Sequence, residues 1–239
     1  MSSVPRGKGL SLLKVLGVLA ASLVAAAVFR SFVVEPFHIP SGSMKSGLLA
    51  GDYIFVSKYS YGYSRYSIVL SPPILKGRVF YTPPQAGDVV VFRLPSNPGT
   101  NYVKRVVGLP GDKVQIVGGH LYINGEEMGY KQVEDFFDGV KSVKRYVETL
   151  YNGRSYEVLD ELENSSLDNT PVYVVPQGHI FVLGDNRDDS RDSRFVTEVG
   201  NIPIENIVGK ALIIALSFRK GDGWFPFGIR TDRILRAIK

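Results

Sequence analysis

From Val15 to Phe29 the chain carries no charged residue. With its flanks, Leu10 to Lys14 and Arg30 to Val34, the apolar stretch runs for about 25 residues, roughly 37 Å as a helix. That length crosses a bilayer when Lys14 and Arg30 reach out to the two interfaces. The later run Ala211 to Phe218 spans only about eight residues, which suits a buried strand and not a second crossing. Arg6, Lys8 and Lys14 precede the stretch, so the positive-inside rule puts the N-terminus in the cytoplasm and everything after about Val34 on the far side. The Ala-rich segment Ala20 to Ala27 also offers the small residues of a cleavable leader. Length and the unbroken continuation Phe32-Val33-Val34 favour an uncleaved anchor, and either way the remainder is exported.

The exported part reads as mainly β. Tyr53–Val56, Asp88–Phe92, Tyr102–Val107, Lys113–Val117, His120–Ile123, Val172–Val175, Ile180–Leu183 and Ile207–Ser217 are short runs rich in β-branched and aromatic residues. Pro110-Gly111, Gly118-Gly119 and Asn124-Gly125 punctuate them as turns. Two segments depart from this spacing. Tyr59 to Gln85, with five tyrosines and four prolines, suggests an extended peripheral loop or ribbon, and Glu126 to Asn169 is the most polar and acidic part. The expected architecture is an N-terminal transmembrane helix, then an antiparallel β-sheet catalytic domain with an inserted β-rich subdomain. Its divisions are 1–34 for tail and anchor, 35–112 and 179–239 for the catalytic core, and 113–178 for an inserted non-catalytic subdomain whose polar part, Glu126 to Asn169, is expected to be peripheral.

With 239 residues, 44% of them hydrophobic, the chain can bury a sizeable core, and a net charge of +5 is too low for a disordered one. Cysteine is absent, which excludes disulfides, Fe–S clusters, thiolate zinc sites and cysteine nucleophiles. His38, His120 and His179 are scattered, without metal-ligand spacing. Asp185 to Asp192 is dense in carboxylates but lacks the spacing of a calcium loop. The expectation is therefore no metal and no cofactor. No nucleic-acid module is visible either, and the basic pI of about 9.3 suits an anionic membrane surface.

Two sites carry chemistry. Ser41-Gly42-Ser43-Met44 follows the apolar stretch, and Lys104 lies in Tyr102-Val103-Lys104-Arg105. A serine hydroxyl needs a positioned base, and a lysine serves only when its amine is largely neutral. Strand alternation places Tyr102, Lys104 and Val106 on one face, where apolar neighbours would disfavour the charge, while Arg105 points away. Each feature alone has an ordinary alternative, a polar turn for the serines and an edge-strand lysine for Lys104.

In order, however, four blocks resemble the type I signal peptidases, membrane-anchored Ser-Lys endopeptidases of peptidase family S26. They are Ile39-Pro40-Ser41-Gly42-Ser43-Met44, the stretch from Gly51 to Lys58, the stretch from Tyr102 to Asp112, and the stretch from Gly184 to Arg194. The resemblance implies cleavage of signal peptides from exported preproteins after small residues at −1 and −3. It implies Ser43 as nucleophile, Lys104 as general base, and the Ser43 N–H with the Ser41 hydroxyl as oxyanion donors. It also implies Ser190 hydrogen-bonded to Lys104, an Asp192–Arg194 pair, and Asp185 meeting Arg105. Phe37, Ile39, Pro40, Met44, Tyr102 and Val103 would line the peptide site. The implied location is the bacterial inner membrane, in one pass, with the catalytic domain on the periplasmic side, and the implied partners are signal peptides and the lipid bilayer.

Two departures stand out. After Met44 the family has a variable residue and then Pro-Thr-Leu, where this chain has Lys45-Ser46-Gly47-Leu48. After Arg194 the usual aromatic-Gly pair is replaced by Phe195-Val196. Two other readings remain open at this level. A catalytically inactive exported peptide-binding β-domain fits the same pattern, and a soluble self-cleaving Ser-Lys regulator is disfavoured by the anchor.

Overall fold

The computed structural model describes residues 12–137, 141–162, 165–220 and 227–239. Arg6 and Lys8, on which the expected orientation partly rests, lie outside the described residues, as do 138–140 and 163–164 of the acidic segment.

The apolar stretch forms helix α1 (Leu12–Phe32), the one helix among the described residues long and apolar enough to cross a membrane. Its residues are exposed except Ser31, as befits a surface meant for lipid. Arg30 in the last turn places a cation against the negative end of the helix dipole. It also donates to Glu35 (Nε–Oε1 2.9 Å), whose other oxygen accepts from the buried Lys58 (2.7 Å). This three-residue relay ties the end of α1 to the β-domain.

The strands follow in chain order. They begin with β1 (Val34–His38), β2 (Asp52–Ser57), β3 (Val89–Leu94) and β4 (Asn97–Gly108). Next come β5 (Lys113–Val117), β6 (His120–Ile123), β7 (Glu126–Glu127), β8 (Gly129–Gln132), β9 (Phe136–Phe137) and β10 (Ser142–Val143). β11 (Arg145–Thr149), β12 (Ser155–Leu159), β13 (Tyr173–Val174), β14 (His179–Leu183), β15 (Ile202–Pro203), β16 (Ile207–Lys220) and β17 (Phe227–Ile229) complete the set. The main sheet is antiparallel with order β1-β2-β16-β3-β4-β14-β15, and β17 pairs with the end of β16.

The apolar run Val89–Phe92 of β3 reflects burial on both faces. Val89 and Val91 pack with Ile39, Met44, Ile54, Val56 and Ile214, while Val90 and Phe92 pack with Tyr61, Val106, Val182 and Ile207. A third cluster joins Val107, Phe181 and Leu183 of the main sheet to Val114, Ile116, Leu121, Ile123 and Val158. The segment 113–178 is thus β-rich, and Glu126 to Asn169, expected to be peripheral, contributes Met128, Leu150, Tyr156 and Val158 to that cluster. Its core is continuous with the ends of β4 and β14, because the apolar residues of its short strands need a partner surface to bury against.

Residues 59–85 form a loop with one 3-10 turn (Arg65–Ser67) and a single bridge between Tyr63 and Val79. Part of it is interior, since Tyr61 and Tyr66 are buried. Tyr63 stacks edge-on against Phe32 and donates to its carbonyl (3.0 Å), so the loop leans on the end of α1.

Candidate active site

Ser43 sits in the turn between β1 and β2, and Lys104 sits on β4. The β4–β14 register brings them together. Val106 faces Val182 and Arg105 faces Leu183, so β14 ends beside Lys104 and the chain turns there into Gly184-Asp185-Asn186-Arg187. That loop grips the backbone of the serine, with the Asn186 N–H donating to the Ser43 carbonyl at 3.1 Å. Only glycine allows this approach at 184, because a Cβ there would lie 2.2 Å from Ser190 Oγ and 2.6 Å from the Ser43 carbonyl oxygen.

The Lys104 Nζ lies 2.5 Å from Ser43 Oγ, and Ser41 Oγ lies 3.4 Å from the same atom. The Ser43 N–H has no acceptor among the described residues and is free to meet a ligand oxygen. Lys104 is 3% exposed. Burial lowers its pKa from 10.5 to about 8, an effect opposed by Asp192, Asp185 and Asp189 and reinforced by Arg194. The amine therefore gives up its proton at a lower pH than a free lysine does.

The ions around the two residues are paired. Arg105 forms a two-pronged bond to Asp185, with both N–O distances 2.7 Å, and also donates to the carbonyls of Gly87 and Lys239. Arg194 forms a fork on Asp192, with both distances 2.9 Å, and Asp192 also accepts the Gly184 N–H. Burial would push Asp192 up, but Arg194 outweighs it and holds the carboxylate below its ordinary range.

Ser190 departs from expectation. Its hydroxyl is buried and makes no bond to Lys104 among the described residues; it lies instead beside Asp192, whose carboxylate it helps to hold below the ordinary range. Ser190 packs beside Gly184, and the Lys104 amine is directed to Ser43. Of the residues expected to line a peptide site, Ile39 and Met44 are core residues, while Phe37 and Val103 pack half-buried against them. Tyr102 is half-buried and Pro40 exposed. The cause is the inward side of the turn, which has to fill the space beneath Ile54 and Val91. A cavity of about 400 Å³ lies behind the turn, lined by Met44, Arg105, Tyr156 and Ile238 among others, but neither Ser43 nor Lys104 reaches it.

Several contributors escaped the sequence reading. Glu148 of β11, fully buried, binds Arg187 (2.6 Å) and accepts from the Tyr156 hydroxyl, while Arg187 Nε donates to the Gly184 carbonyl at 3.2 Å. Arg105 lies over the Tyr156 ring, 4.0 Å from its centroid. The Leu159 N–H donates to the Asp185 carbonyl, and Ser46 Oγ donates to the Glu157 carbonyl. The inserted segment therefore buttresses both loops of the site. Arg187 lay inside a recognised block, but nothing local marked Glu148, which reads as one more charge on an alternating strand.

The histidines are engaged elsewhere: His120 meets Glu127, His38 lies against Tyr53, and His179 meets the Gln177 carbonyl. Asp160, Asp168 and Asp188 carry oxygens within 4.8 Å of one another, and burial together with the two neighbouring carboxylates pushes Asp160 up to about 6. These three are far apart in sequence and fall outside the calcium-loop spacing considered above.

A helix fit by length and composition to cross a membrane, an antiparallel β-domain, and a serine beside a buried lysine are features of a hydrolase of the serine type. Comparison with known proteins narrows the class. The model of the family described as signal peptidase, peptidase S26, matches residues 12–216. Signal peptidase I of Rickettsia typhi is 45% identical over 202 residues, covering 80% of this chain and 75% of that protein. Signal peptidase I of Rickettsia akari is 44% identical over 224 residues, covering 90% and 82% respectively. A crystal structure of a signal peptidase I from Enterococcus faecalis V583 aligns with a TM-score of 0.33 at 28% identity, covering 54% of this chain and 97% of that one. The chain belongs to the signal peptidase family, peptidase S26. Membership makes it a serine peptidase of the signal-peptide-cleaving kind.

Proposed function

We propose that the protein cleaves signal peptides from exported preproteins with a Ser43–Lys104 dyad. The observation that carries this reading is the 2.5 Å approach of Lys104 Nζ to Ser43 Oγ in a site where burial favours the neutral amine. Neutral Lys104 accepts the Ser43 hydroxyl proton as Oγ attacks the scissile carbonyl. The tetrahedral oxyanion is met by the Ser43 N–H and the Ser41 hydroxyl, each donor contributing roughly 3 to 4 kcal/mol in comparable sites. On collapse the C–N bond breaks and Lys104 passes the proton to the leaving amine. Water, deprotonated by Lys104, then attacks the acyl-enzyme and releases the signal peptide with Ser43 restored.

The substrate adds as a strand. Among the described residues β1 pairs only with β2, and β4 has no second partner over Asn97–Lys104, so two open edges flank the serine. A leader peptide bonded to these edges would present its −1 and −3 side chains towards Phe37, Ile39, Pro40, Met44, Tyr102 and Val103. That surface is already filled by Ile39 and Met44, which selects for small residues. Helix α1 anchors the site at the membrane, with the N-terminus cytoplasmic and the β-domain on the periplasmic side of a bacterial inner membrane. Exposed Leu70, Ile74 and Phe80 of the loop beside it extend the apolar surface.

The test is cleavage of a preprotein bearing an Ala-x-Ala site by the Ser43→Ala and Lys104→Ala variants, each checked for folding. Both should be inactive, and cleavage by either folded variant would remove the dyad.

A further inference from the structure

The turn after Ser43 lacks the proline that the family pattern places two residues after Met44, yet it is held on several sides. Arg233, 6% exposed, lies in a short 3-10 turn (Thr231–Arg233) beyond β17. Its Nη2 donates to the Gly47 carbonyl (2.8 Å) and to Asp52 Oδ2 (2.6 Å), and its Nε donates to Asp52 Oδ1 (3.2 Å). Asp52 is fully buried and accepts two further bonds, from the Leu49 N–H (2.8 Å) and from Ser217 Oγ (2.6 Å). Arg230 adds a bond to the Ala50 carbonyl (2.7 Å). At Gly51, φ is +93° and a Cβ would lie 2.1 Å from the Phe218 carbonyl oxygen, so the turn is pressed directly onto β16.

The arginine-bearing segment is itself fastened. The Leu235 N–H donates to the Ile214 carbonyl, the Ile214 N–H to the Arg236 carbonyl, and the Ile238 N–H to the Leu212 carbonyl. Arg233 is thus mounted on a central strand of the sheet. A planar guanidinium offers several donors in one fixed fork, and here it spans a carbonyl on one side of the turn and a carboxylate on the other.

From this geometry we infer that Arg233 is a positioning residue for Ser43: its fork holds the Gly47 carbonyl and the Asp52 carboxylate together, supplying the stiffness that a proline gives related chains. The inference rests on the reading of Ser43 as nucleophile. Arg233 touches no reacting atom. It acts through the turn, where a displacement of about 1 Å is enough to lower a rate by up to a hundredfold.

Arg233→Lys in the full-length, detergent-solubilised protein tests this. Lysine keeps a cation beside buried Asp52, so the carboxylate is not left unpaired, but a point charge cannot replace the fork. The expected result is a kcat lowered about tenfold, with KM within about twofold and the melting temperature nearly unchanged. Ser46→Pro added to that variant should recover much of the lost rate, since the Ser46 N–H donates no hydrogen bond among the described residues. A wild-type kcat in Arg233→Lys overturns the inference, as does a loss that Ser46→Pro leaves untouched or one that appears only in KM. If Arg233→Lys does not fold, Arg233→Met combined with Asp52→Asn removes both charges of the fork while keeping an acceptor for the Leu49 N–H and the Ser217 hydroxyl beside Arg230, and a wild-type kcat there is equally decisive against it. Ser43→Ala is assayed alongside. Activity in that variant overturns the nucleophile reading, whereas a wild-type rate in Arg233→Lys beside an inactive Ser43→Ala overturns this inference alone.

Discussion

Replacing Lys104 by methionine should abolish cleavage and at the same time stabilise the fold at neutral pH. Burial lowers the lysine from 10.5 to about 8, and at about 1.36 kcal/mol per pKa unit the difference amounts to about 3 kcal/mol. The sign follows from proton binding. Between about pH 8 and 10.5 the unfolded chain holds the proton and the folded protein does not, so stability rises with pH across that window. Below about 8 the folded protein carries a buried ammonium and the full penalty applies. Methionine removes that penalty and conserves most of the volume, at the loss of a hydrogen bond to Ser43 of about 1 kcal/mol. The net gain near pH 7 is therefore about 2 kcal/mol, and it should fade as the pH is raised towards 10.5. Thermal unfolding of the wild type and Lys104→Met at pH 7 and pH 10 measures it. The kinetic counterpart is a kcat/KM that rises with pH to a midpoint near 8, so that about a tenth of the lysine is neutral at pH 7 against about one part in 3,000 for a free side chain. A midpoint at the value of free lysine, or a Lys104→Met variant less stable than wild type at pH 7, would refute the reasoning.

Other consequences can be measured separately. Gly184→Ala forces a Cβ against Ser190 Oγ and the Ser43 carbonyl, and should lower kcat strongly while costing about 1 to 3 kcal/mol in unfolding measurements. Asp185→Asn leaves Arg105 buried without its anionic partner, and should destabilise by about 3 to 5 kcal/mol, read as a lower melting temperature. Limited proteolysis should cut first within Asp160 to Asn169, and initial cuts in β4 around Lys104 would contradict that division of the chain. Glu148→Gln keeps the shape of the buttress but removes its charge, so it should reduce activity through the Arg187 loop without altering the pH midpoint set by Lys104.

What the sequence determined by itself is what depends on neighbouring residues. Helix α1 follows from an unbroken apolar run of bilayer length, and β3 from a continuous run of β-branched residues. The Ser43–Lys104 pair, 61 residues apart, became legible only because each member sits in a recognisable local block. Ser190 was assigned by the same resemblance, yet its bond to Lys104 does not form, because a motif does not carry rotamers or steric contacts. Residues with no such block were invisible. Glu148 reaches Arg187 across 39 residues, and Arg233 reaches Gly47 across 186, and on paper each is an unremarked surface charge. Burial converts them into ion pairs that cannot be left unsatisfied, and burial exists only once the sheet has closed around them. The same holds for Lys104. Its position was readable in the chain, but the lowered pKa that lets it act as a base is a property of the closed fold, where desolvation outweighs the neighbouring carboxylates.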